Sequence, residues 1–248
     1  MRAGPRASVD PRALADCDAV LVAVKSYATA SALAPLRGVL RPHALVASVQ
    51  NGIDNAEIAR AALPGVRVVA GSTMQGAVSL GDGRIRPIRR APTVFARDDT
   101  APPTSDELAA AFRAAGLDAS VVDDPAPLLW RKLVVNAALN PVGALARRTN
   151  GDVVTDPDLA PLARTLALEA GAVAAASGID AGDAWATVQA AGRETAANQS
   201  SMLQDVDAGR PTEIEAICGA IVRRAGAHGI PVPLTEAMLR LVRARARG

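Results

Sequence analysis

The sequence predicts an α/β domain followed by an all-helical one. Three observations carry this. Short apolar runs alternate with helical stretches up to about residue 123, that rhythm stops at "DDPAPLLW", and no convincing strand follows. With 248 residues, half of them apolar, the chain can fill two modest cores without disulfide or metal staples. The expected division is 1–124 and 125–248.

The elements can be justified in order. "AVLVAV" at 19–24 and "ALVASV" at 44–49 are buried-strand candidates, each followed by a helical stretch, from about Ser26 and over 53–63. This βαβα alternation predicts a parallel sheet with crossover helices. "RVVAGS" continues it, and "GDGRIRPIRRAPTVFA" reads as a turn followed by strands, with Arg84 and Arg86 on one face and Pro87 marking an edge. Thr104 and Glu107 have the spacing of a capping box for a helix that stops near Gly116, and "ASVVD" is the last strand. Helices are expected over 127–146, 158–177, 183–198, 212–228 and 234–245.

Composition narrows the function classes. A net charge of +2 and five scattered aromatic residues offer neither a strong phosphate-binding field nor a base-stacking platform, so nucleic acid is not an expected partner. The N-terminus lacks the apolar run of a secretory signal, and no stretch of eighteen unbroken apolar residues follows, so a cytoplasmic protein without a membrane span is expected. Cys17 and Cys218 match no metal-ligand spacing and read as two reduced thiols. No metal site is expected.

The most informative stretch is "LLWRKLVVNAALNPVGAL". Four residues advance a helix by about 400°, so Lys132, Asn136 and Asn140 share one face of an otherwise apolar helix. A buried ammonium or amide without partners is costly. A solvated face, helix-to-helix hydrogen bonds or a ligand would each satisfy the stripe. In "NQSSMLQDVDAGRPTEIEAICG", Thr212 and Glu215 have capping-box spacing, and Glu213 either sits in the first helical turn or points across at a cationic lysine. Asn198 and Ser201 suit helix-end and capping positions. Lys25 and the pair Asn51-Gly52 follow buried strands, where ligands of open parallel sheets bind, although a turn and a solvated lysine account for them equally. The arginines of "RIRPIRR" read as a solvated edge or as an attraction for an anionic substrate.

Taken together, "VKSY", "QNG", "LWRKLVVNAALNP", "TNG" and "SSMLQDVDAGRPTEIEAICG" give the chain, from about Asp10 onward, a pattern that resembles the ketopantoate reductase (2-dehydropantoate 2-reductase) family. The resemblance implies an incomplete Rossmann-type dinucleotide-binding domain, a helical substrate and dimerisation domain, and an interdomain cleft. There NADPH would reduce 2-dehydropantoate to pantoate in pantothenate biosynthesis. It implies Lys132 as the general acid, Glu213 as the residue placing lysine and substrate, and Asn136, Asn140, Asn150, Asn198 and Ser201 as substrate-binding. Lys25, Asn51 and Gly52 would line the nicotinamide side, and the enzyme would be a homodimer acting on a small 2-keto acid.

The family's G-x-G-x-x-G turn, which cradles the cofactor pyrophosphate, has no counterpart in this sequence, and about fifty residues of the family's layout are expected upstream. Three accounts follow: a natural protein longer than this chain, a degenerate non-catalytic reductase, or a binding protein that keeps the helical domain. A reductase of another 2-keto acid is the alternative within the enzyme class.

Overall fold

In the computed structural model, residues 6–81, 84–89 and 91–245 are described. They divide into two compact units. Those up to Gln50 together with Asn55–Pro125 form one, and Asn51–Asp54 together with those from Ala126 onward form the other.

The first unit is built on a five-stranded sheet of β1 (Ala19–Val22), β2 (Leu45–Ser48), β3 (Arg67–Thr73), β6 (Thr93–Ala96) and β7 (Ala119–Val122), in the order β1-β2-β3-β6-β7. Side chains alternate across the pleat, so β2 feeds two cores. Val46, preceded by Ala44, joins Val22, Leu33 and Leu63 on one face, while Leu45 and Ala47 join Val69, Phe95 and Ala109 on the other. The short helices α1 (Thr29–Leu33) and α2 (Asn55–Ala62) cover the first face, and α3 (Ser105–Ala114) the second. Phe95 and Phe112 meet edge to face there, with ring centroids 5.2 Å apart. The capping box at Thr104 and Glu107 is formed, and Gly116, with φ +78°, follows the end of α3.

The parallel pairing expected from the βαβα alternation forms over the first three strands, and the sheet as a whole is mixed. β1-β2, β2-β3 and β6-β7 are parallel, but β3 and β6 pair antiparallel through Gly71↔Phe95 and Thr73↔Thr93. A parallel return needs a crossover of a dozen or more residues, usually a helix. Between β3 and β6 the chain instead forms a two-stranded ribbon, β4 (Gly76–Ser79) with β5 (Ile85–Arg89), and comes back antiparallel. Arg67, opening β3, locks this arrangement with a two-pronged bond to Asp98 just beyond β6, at 2.8 and 3.2 Å. The guanidinium holds the Asp98 carboxyl down at about 2. Arg84 and Arg86 belong to the ribbon segment, with Pro87 opposite Ala77; the expected turn falls partly on 82–83, outside the described residues.

The second unit is helical. Its axis is α4 (Ala126–Ala146), which packs against α6 (Leu159–Ala176), α7 (Ala184–Glu194), α8 (Ser201–Asp207) and α10 (Pro233–Arg245). Leu133, Val134 and Leu139 are almost fully buried, and each side chain so buried contributes about 1.5–3 kcal/mol. That gain lets α4 tolerate polar residues. The helix stops at Arg147, which adopts φ 56° so that Arg148 N donates to Gly143 O at 3.0 Å. α6 is the one described helix long and apolar enough to cross a membrane, yet Ala163, Leu166, Ala170 and Val173 are buried in the unit's core. Its Glu169 accepts from Leu234 N at 3.0 Å and Thr235 N at 2.7 Å, capping α10 from outside.

Three expectations for the helices need correction. The stretch 183–198 ends as a helix at Glu194, and α5 (Asn150–Thr155) and α8 form where no helix was expected. The stretch 212–228 opens as a π-turn, Glu215–Gly219, and continues as α9 (Ala220–His228).

Candidate functional site

Lys132, Asn136 and Asn140 lie along α4 as the spacing predicts. Lys132 and Asn136 are partly buried, and Asn140 is only 6% exposed. Neither asparagine amide has a hydrogen-bond partner among the described residues, so helix-to-helix bonding does not explain the two amides, and Asn140, although its residue is buried, keeps its amide within reach of solvent. Pro141 follows directly inside the helix, which deprives the Ala137 carbonyl of its usual donor. One turn on, Gly143 faces Ser200: a Cβ added there would lie 3.8 Å from its Oγ. The polar face of α4 therefore runs on towards the start of α8.

Glu213, 6% exposed, stands just before the π-turn, and its carbonyl accepts from Ile217 N at 3.1 Å. The capping box expected at Thr212 and Glu215 does not form, because Glu215 binds Arg243 through both carboxylate oxygens instead. Glu213 accepts a 2.9 Å hydrogen bond from Asn51 Nδ2 and acts electrostatically on Lys132. Burial pushes the Lys132 ammonium down to about 8, and Glu213 limits the drop. The structure thus brings together Lys132, Glu213 and Asn51, a cation with a lowered proton affinity beside a carboxylate held by an amide. Gly52 is demanded by the same packing. Its φ is +95°, and a Cβ would come within 2.9 Å of Ala216 O in the π-turn.

A second group gathers where the α7–α8 connection meets α5. Asn150 N donates to Asn198 O at 2.9 Å, Gly151 N to Ala196 O at 3.1 Å, and Asn150 Nδ2 to Thr195 Oγ1 at 2.9 Å. Asn150 Oδ1 is buried without a partner among the described residues. Asn198 also donates its backbone N–H to Thr195 O at 2.8 Å, which makes it a turn residue after α7. Capping of α8 falls to Ser200, whose buried Oγ accepts from Leu203 N at 3.2 Å, and Ser201 is exposed. Two adjacent hydroxyls in "NQSSML" left that choice open to a one-residue error.

Lys25 belongs to the first unit, three residues past the end of β1, with φ −58° and ψ 142° at the start of a 3₁₀ turn. The sequence pattern missed its neighbour Gln50. That side chain, 6% exposed, donates to Val24 O at 2.7 Å and Thr29 Oγ1 at 2.8 Å, tying together the carboxyl ends of β1 and β2. A signal for both lysines was available. All other basic side chains apart from the histidines are arginine, and lysine occurs only at positions 25 and 132. An arginine cannot be deprotonated near neutral pH, and a lysine can be tuned to give up its proton, as burial does at Lys132.

Comparison with known proteins agrees along the chain. A family profile described as "Ketopantoate reductase PanE/ApbA" matches residues 2–99, and "Ketopantoate reductase PanE/ApbA C terminal" matches 126–246. The chain is 36% identical over 246 residues to a 2-dehydropantoate 2-reductase of Halobacterium salinarum, covering 98% of this chain and 80% of that protein. Among solved structures, a PanE/ApbA family ketopantoate reductase from Ralstonia eutropha superposes with a TM-score of 0.90 at 33% identity, covering 97% of this chain and 79% of that one. A D-mandelate dehydrogenase solved with NADH and anilino(oxo)acetate has a TM-score of 0.85 at 23% identity over 93% of this chain and 76% of its own, a likeness of fold.

Proposed function

Because the chain belongs to the ketopantoate reductase family, we propose that it reduces ketopantoate to pantoate with NADPH, as a cytoplasmic homodimer, with Lys132 as proton donor. The observation that carries this is the trio Lys132, Glu213 and Asn51, with the unpartnered amides of Asn136 and Asn140 on the lysine's own helix face.

The cofactor fits this chain in part. The carboxyl ends of parallel strands β1 and β2, ordered by Gln50 and followed by Lys25, have the chemistry expected beside a nicotinamide. No glycine-rich pyrophosphate turn is encoded in the sequence, and no residue is assigned to that role. When bound, the nicotinamide supplies the hydride. The chain's own residues handle charge and proton. Negative charge develops on the keto oxygen as carbon is reduced, and a positioned ammonium stabilises it and donates the proton. With its affinity lowered to about 8, Lys132 gives up a proton more readily than an ordinary lysine while staying mostly charged near neutrality. Glu213 balances that charge, and Asn51 fixes the carboxylate. Asn136 and Asn140 offer neutral amides that orient a keto acid without competing for its charge. Asn150 is assigned as a further orienting amide, and Asn198 and Ser201 to the substrate's carboxylate and hydroxyl end.

The test is NADPH oxidation with ketopantoate, compared across NADH and a panel of 2-keto acids. Lys132→Ala should lower turnover by roughly 10² to 10⁴, and the parent's turnover should fall as pH rises through about 8. Near-normal turnover in that variant would remove Lys132 from the mechanism. Tight NADPH binding by the parent chain would remove the main premise of the two non-catalytic accounts.

A further inference from the structure

The tetrapeptide Asn51–Asp54 lies between β2 and α2 in sequence, yet it belongs to the helical unit and is fastened there at every residue. Asn51 binds Glu213, Gly52 lies against the Ala216 backbone, and Ile53 packs on the unit's hydrophobic core. Asp54 is held at 2.8 Å by Arg223 Nη2 and at 2.6 Å by Arg224 Nη2, both on α9. Arg224 is itself fixed, with its guanidinium 5.9 Å from the ring centroid of Trp130 on α4. Burial raises the Asp54 proton affinity, but the two guanidiniums outweigh it and hold the carboxyl below its ordinary range.

Isolated surface ion pairs do little for stability. This one does something else. Asp54 is three residues from Asn51, and the intervening Gly52 and Ile53 are pinned by packing, so the carboxylate at one end fixes where the amide at the other end points. We propose that Asp54, gripped by Arg223 and Arg224, is a positioning residue that fixes the Asn51 amide on Glu213 and thereby keeps the Glu213 carboxylate oriented beside Lys132. This rests on the pairing of Lys132 with Glu213 in the function proposed above. Glu213 acts on Lys132 through its charge, while Asp54 is held by Arg223 and Arg224 and Glu215 by Arg243.

The chain's two lysines make the test direct. With ¹³C-labelled lysine, NMR reads two side-chain titrations, and Lys25→Arg assigns them. The quantity needed is the shift in the Lys132 midpoint caused by Glu213→Gln, measured in the parent and in Asp54→Asn. A downward shift is expected in the parent, and less than half of it in Asp54→Asn. An Arg223→Gln/Arg224→Gln double variant should show the same loss with Asp54 intact; it decides the matter should Asp54→Asn fail to fold. A full-sized shift in either folded variant would overturn the positioning role while leaving the Lys132–Glu213 pair standing. No shift in the parent would overturn the pair, and the positioning role with it.

Discussion

Replacing Lys132 by Met should change how stability depends on pH. In the folded chain its proton affinity is lowered from the ordinary 10.5 to about 8. Between those values the unfolded chain holds a proton that the folded chain has released, so stability rises with pH there, by about 1.4 kcal/mol per unit where the difference is complete. Integrated from pH 8 to pH 10, the gain attributable to Lys132 is about 2 kcal/mol. Cys218 works the other way. Burial raises its thiol from 9.0 to about 12, so the unfolded chain ionises first and stability is lost as pH climbs through that range. The two effects overlap, and a Cys218→Ala background removes the second. Urea unfolding followed by circular dichroism at several pH values then compares Cys218→Ala with Lys132→Met/Cys218→Ala. The single variant should gain about 2 kcal/mol between pH 8 and pH 10, and the double variant should lack that gain. Parallel curves would mean that Lys132 titrates as an ordinary exposed lysine, and the argument for a tuned proton donor would fail.

Two further outcomes are expected. Gly52→Ala combines a left-handed backbone with a clash against the Ala216 carbonyl, and should cost about 2 kcal/mol or more by the same unfolding assay; an unchanged midpoint would show that the loop relaxes freely. Asn140→Ala replaces a poor helix former whose side-chain amide makes no hydrogen bond to another described residue, so it should raise stability by roughly 0.5 kcal/mol. The same variant should weaken ketopantoate binding, seen as a higher KM, and a loss of stability would point to a structural role instead.

What the sequence made legible was local. The 3.6-residue period exposed the polar face of α4, and the Thr104–Glu107 box with Gly116 marked both ends of α3. What it hid was long-range. Nothing within "RVVAGS" or "PTVFA" says that these strands run against each other, because direction is set by the ribbon between them. Glu215 sits at capping-box spacing from Thr212, yet its partner is Arg243, and Asp54 finds Arg223 and Arg224 nearly 170 positions away. The trio at the site was half visible: Lys132 and Glu213 drew attention by type and spacing, but the bond from Asn51 could not be read from a sequence in which 162 positions separate the two residues.

The helical unit is not a continuous stretch of chain. Four of its residues are contributed between β2 and α2, far upstream of the remainder. Anyone cutting the protein between Pro125 and Ala126 to obtain that unit by itself, or exchanging it with a relative as a cassette, would leave behind the amide that binds Glu213 and the carboxylate that pairs with Arg223 and Arg224. A chimera across that junction would inherit Lys132 with its acid untethered. To travel intact, the site must be moved in two pieces, and a donor must match at "NGID" as well as in the helices.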